Sequence, residues 1–142
     1  MSIDLGGVNW LAVVIGTVVY FALGALWFAP ATPLGRAWMK AAAYESPTSG
    51  TMSTNVFYVV PLVTCLVMVT ALALLAKAVG VSDMGGGIVL GLLVGIGLEL
   101  PLLITTAAFE FKKPQPFTWG LIDASYHVIG LTIAGAIIGV MA

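Results

Sequence analysis

From Gly85 to Phe109 the chain is apolar over a length that suits a membrane-spanning helix, and one acid, Glu99, stands near the middle of that run. Gly87, Gly91 and Gly95 precede the acid at four-residue steps, so a regular helix places all four positions on one stripe. A carboxyl group at the bilayer centre costs about 2.5–3.5 kcal/mol on insertion scales, so it should face protein or a wet cavity and not acyl chains. Composition agrees with a membrane setting. Of the 142 residues 61% are hydrophobic and 8% charged, against about 25% charged in a soluble domain. Net charge is −1 with no basic run, which argues against a nucleic-acid partner.

Four apolar segments are predicted, at about 8–28, 55–78, 85–109 and 118–141, giving an all-α, four-helix, up-down transmembrane bundle formed by one domain, 1–142. The first lacks a basic region ahead of it and reads as a retained span, not a cleaved signal; no lipidation signal is apparent. Trp10 and Trp27 mark its two interfacial ends. Residues 29–53 form a polar connection whose Leu34–Tyr44 part suits either a helix lying flat at the interface or a plain loop, and 45–50 has linker composition. Pro61 lies early in the second segment, and Pro101, two residues past Glu99, deprives the Gly97 carbonyl of its usual donor. Gly80 to Met84 is a tight link, and Glu110 to Pro116 a charged, proline-rich one. Small residues recur in strips, Gly16 with Gly24, Gly87 with Gly91 and Gly95, and Gly135 with Gly139, which suits close helix packing and motivates a homo-oligomer or another membrane-protein partner. Arg36, Lys40, Lys112 and Lys113 face Lys77 alone on the other side, so the positive-inside rule puts the two larger connections in the cytoplasm and both termini outside a multi-pass inner (plasma) membrane protein.

Depth along each helix, at about 1.5 Å per residue, brings several polar groups to one level. Glu99 lies ten residues before Phe109 and His127 eight after Trp119; Tyr20 and Thr64 fall in the same layer. Glu99 and His127 are expected to meet, with Asp123, one turn away on the same face as His127, orienting the imidazole, and with Tyr126 and Thr105 lining the approach. Such a layer can pin the helices in register or handle a proton or a polar solute. One imidazole with two acids is a thin ligand set for a metal, and no cofactor is implied. No nucleophile stands beside a base, so the chain does not read as an enzyme, and Cys65 reads as a small packing residue. A homo-oligomeric transport or channel-like protein is the leading expectation, and a non-catalytic scaffold or accessory subunit the alternative.

Asn9-Trp10-Leu-Ala-Val, Gly24-Ala-Leu-Trp27-Phe28 and Trp38-Met39-Lys40 resemble the opening signature of the bacterial domain of unknown function 1761, and Ile122-Asp123-Ala-Ser-Tyr126-His127 resembles its closing one. The resemblance implies a four-helix membrane protein without an assigned activity. It directs attention to Asn9, Trp27, Trp38, Asp123, Tyr126 and His127, and leaves Glu99 outside the matching parts.

Overall fold

A computed structural model describes residues 5–44 and 54–142, so the linker-like stretch 45–50 lies outside the described residues. After a short 3-10 turn at Leu5–Gly7 come α1 (Trp10–Trp27), α2 (Pro33–Ala42), α3 (Thr54–Val79), α4 (Met84–Val94), a π-helical segment (Gly95–Glu99), α5 (Leu100–Phe109) and α6 (Pro116–Val140). Trp10–Trp27, Tyr58–Val79, Met84–Phe109 and Pro116–Val140 are long and apolar enough to cross a membrane, and the fold is an all-α, four-span bundle. Their outward residues, among them Val14 and Val18 on α1, Val63 and Val67 on α3, and Leu93 and Leu98 in the third span, are exposed and apolar, as lipid contact requires.

Local chemistry sets the ends of these helices. The Asn9 side chain accepts from the Ala12 amide at 3.2 Å, capping α1, and donates to the Met141 carbonyl at 2.8 Å, tying the start of the bundle to its end. Asp83 caps α4 through the Gly86 amide at 2.9 Å. Gly80, at φ 76, closes α3 with bonds from Gly80 N to Lys77 O and from Val81 N to Ala76 O, the pairing of a Schellman turn. The Leu34–Tyr44 stretch resolves as a helix: Thr32 caps it, Pro33 begins it, and Ala43 ends it in the left-handed region at φ 50.

The bundle is built around α6. In its spanning window 44% of residues are buried, against 17–28% in the other three, because α1, α3, α4, α5 and α2 all pack on it. Glycine makes the α4–α6 contact a backbone-to-backbone one. A Cβ at Gly87 would collide with the Gly135 carbonyl, one at Gly135 with the Gly87 carbonyl, and one at Gly91 would lie 2.7 Å from Thr132 Cα. Gly139 abuts Asp83 and Met84, and Gly95 abuts Val128. On α1, Gly16 lies against Val69 and Ala134, and Gly24 against Tyr126. The strips expected to offer an oligomeric face are therefore occupied within one chain.

The third span is not a single regular helix. At Gly95–Glu99 the bonding lengthens to i→i+5, with the Leu100 amide donating to the Gly95 carbonyl, just before Pro101. The break expected from Pro101 is thus taken up as a π segment.

Candidate functional site

The polar groups gather where α1, α3 and the middle of α6 meet. Tyr20, buried on α1, shares a 2.5 Å hydrogen bond between its hydroxyl and His127 Nδ1. Its ring lies directly on Gly130, where a side chain would collide with it. Met68 Sδ is 3.9 Å from the same hydroxyl. Tyr126 donates to the Tyr20 carbonyl at 3.1 Å, and the Cys65 thiol is 3.5 Å from the Tyr126 hydroxyl. These bonds satisfy groups that would otherwise stand unpaired in hydrocarbon.

A second pair lies one turn toward the start of α6. Asp123 accepts from Trp38 Nε1 at 3.1 Å, so the carboxylate binds α2 and does not orient the imidazole. The reason is competition: Tyr20 already occupies Nδ1, while an indole from α2 offers Asp123 a donor of its own. Phe28 packs edge-on against both Trp38 and Tyr126, at ring separations of 5.1 and 5.2 Å. Trp27 Nε1 donates to the Ile122 carbonyl at 3.2 Å, and Gln115 N to the Ala41 carbonyl at 3.2 Å. Lys113, over the Trp119 ring at 4.5 Å, lies within electrostatic reach of Asp123.

Glu99 differs from the expectation most. It makes no hydrogen bond or ion pair with His127 and has no hydrogen-bond partner among the described residues. The π segment supplies the cause. Four residues of π-helix fall short of a full turn, so Glu99 leaves the Gly87–Gly91–Gly95 stripe that faces the α6 backbone. It continues instead the side of the span that carries Leu90 and Val94, both packed in the core, and comes within electrostatic reach of Tyr20. The carboxyl group is half-buried, as is His127, whose Nε2 has no partner among the described residues. Thr105 is exposed on α5 and makes no bond to the cluster, and Thr64 bonds within its own helix to Pro61 O at 2.9 Å.

Helix α3 meets the third span mainly along α4, while α5 packs on α6 and the π segment. A cleft of about 280 Å³ between the third span and α6 is lined by Ile96, Leu100, Ala124, Ser125, Val128 and Ile129. Another, of about 230 Å³, lies near the termini and includes Asn9, Lys77 and Met141. Neither is lined by Tyr20, Glu99 or His127. Among the described residues no group of three His, Cys, Asp or Glu side chains could hold a metal ion.

The sequence signal that could have found the Tyr20–His127 pair was their common depth; the Trp38–Asp123 bond carried no such signal, because α2 lies outside the spans. The matched signature residues prove to be one network: Trp27, Trp38, Asp123, Tyr126 and His127 join α1, α2 and α6, and Asn9 ties α1 to the chain end. Searches among curated proteins and among solved structures find no match. The family model described as a protein of unknown function, DUF1761, matches residues 11–139, and the chain belongs to that family.

Proposed function

We propose that the protein is a membrane-embedded binding protein with a one-sided polar site, not a through-pore. Glu99 carries this reading: it is a midspan acid, half-buried and without a hydrogen-bond partner among the described residues. An acid in that position is costly unless something polar meets it. The half of the bundle toward the α3–α4 turn is packed backbone to backbone at Gly87, Gly91, Gly135 and Gly139, which favours a blind site over a channel. Transport across the bilayer extends the reading only in a homo-oligomer, where a second copy supplies polar groups for that half. The basic residues Arg36, Lys40, Lys112 and Lys113 support a cytoplasmic position for α2 and the α5–α6 connection, with both termini outside.

Infrared spectroscopy in lipid nanodiscs tests the site. The Glu99 carboxyl band, assigned by its loss in Glu99→Gln, is expected to shift in His127→Ala. A band that does not move means that the two groups do not share one site. A non-catalytic accessory role has one observation in its favour: among the described residues every fully buried side-chain polar atom is bonded, so the Tyr20–His127 and Trp38–Asp123 pairs also hold the helices in register. A constant protein partner that survives Glu99→Leu unchanged would favour that role.

A further inference from the structure

We infer that the exposed face of α2, together with the connection between α5 and α6, is a docking surface for the headgroups of anionic phospholipids. This surface lies at one end of the bundle, away from Glu99. Helix α2 has two unlike sides. Gly35 and Ala41 are buried and Trp38 is half-buried, whereas Arg36 and Lys40 are exposed. At about 100° per residue the two basic positions stand opposite Trp38, one turn and about 6 Å apart. The packed side is fixed by bonds from Trp38 Nε1 to Asp123 at 3.1 Å and from Gln115 N to the Ala41 carbonyl at 3.2 Å. They hold α2 beside the first two turns of α6, so the basic side is turned away from the protein. The Gln115 bond also joins the α5–α6 connection to the end of α2. Lys112, exposed, is three residues from Gln115, and Lys40 is next to Ala41, so chain length alone keeps their Cα atoms within about 20 Å.

The carboxylates nearby are already engaged. Glu110 accepts from Lys113 at 3.4 Å, and Asp123 accepts from Trp38 on the inner side of α2. Arg36, Lys40 and Lys112 form no ion pair among the described residues. Arg36 Nη1 donates to the Ala31 carbonyl at 2.9 Å, which steadies the guanidinium and leaves its Nε–Nη2 edge for two parallel bonds to a phosphate. Depth selects the source of that phosphate. Trp27 ends α1, Phe109 ends α5 and Pro116 begins α6, so the surface stands where the spans leave hydrocarbon and phospholipid headgroups begin. A zwitterionic headgroup brings an ammonium that these cations repel; an anionic one does not. Each basic residue at an anionic leaflet surface is worth about fivefold in association.

Electron spin resonance of spin-labelled phosphatidylglycerol and phosphatidylcholine, with the full chain reconstituted in phosphatidylcholine vesicles, tests the assignment by separating protein-bound from bulk lipid. The phosphatidylglycerol label is expected to associate about fivefold or more tightly, and the preference to shrink as salt is raised. Lys40→Gln/Lys112→Gln should lose most of the preference, with each single variant between. Neither side chain bonds within the described chain, so the fold should keep its helicity. Lys77→Gln, at the far end of α3, should leave the preference intact. Equal association of the two labels, a preference that survives in both single variants and the double one, or one lost equally in Lys77→Gln overturns the assignment. So does displacement of the label by inorganic phosphate at constant ionic strength, which would make the surface a site for a soluble anion.

Discussion

Gly87→Ala should destabilise the bundle far more than Gly97→Ala, although the two glycines stand in the same span and each change adds one methyl group. At Gly87 the new Cβ would sit far inside van der Waals contact with the Gly135 carbonyl oxygen and near Gly139 Cα at 3.2 Å. Neither neighbour is a side chain that can rotate away, so α4 and α6 must separate along their contact. Overpacking of this kind costs about 1–3 kcal/mol when side chains can adjust, and the upper end applies where only backbone is available. At Gly97 nothing lies within 4 Å, so helix propensity dominates and alanine should be neutral or stabilising by up to about 1 kcal/mol. Gly135→Ala makes the reciprocal clash with the Gly87 carbonyl. Once the helices have parted for one methyl they have room for much of the other, so the double variant should cost clearly less than the sum of the singles. Unfolding in bicelles, with helicity followed against added denaturing detergent, gives the four stabilities of the cycle. Equal effects at Gly87 and Gly97, or strict additivity of Gly87→Ala with Gly135→Ala, would refute the backbone contact. Altered subunit association with unchanged stability would return the glycine stripe to an interface between copies.

Three further outcomes follow from particular bonds. Trp38→Phe removes the indole donor of Asp123 while keeping the aromatic contact with Phe28; it should cost about 1–3 kcal/mol and increase protease cleavage within α2. Ala43→Gly relieves a non-glycine residue at φ 50 and should stabilise the end of α2 by about 1 kcal/mol, seen as slower amide exchange there; no change would mean that this turn is not held in the left-handed region. Glu99→Leu should raise stability in bicelles by about 2 kcal/mol or more while weakening ligand retention, because an unpartnered midspan acid is a cost to the fold; a loss of stability would show that the carboxyl group is bonded after all.

The number and type of the helices could be read directly, because long apolar runs separated by prolines and short polar links have few other solutions in a bilayer. Depth could be read as well: Tyr20 and His127 were placed at one level and do meet there. Rotation about the helix axis could not. One residue is about 100° of turn in an α-helix, so the single extra residue in the π segment is enough to change the face on which Glu99 sits. Asp123 was misassigned for a different reason. A four-residue spacing from His127 fixes the side of α6 it occupies, but not which neighbour wins its carboxylate, and the winner came from a short helix between the spans.

The failure at Glu99 bears on function. Along the α4–α6 contact local pattern and packing agree: small residues recur every fourth position and are used as such. At Glu99 the pattern continues, yet the backbone departs from it, and the departure turns the acid off the tightly packed α6 contact. π-helical segments interrupt helices frequently at functional sites, and here the interruption and the half-buried acid coincide. A local sequence rule that fails at one acid, in a bundle where it holds elsewhere, is the physical ground for proposing a site at Glu99.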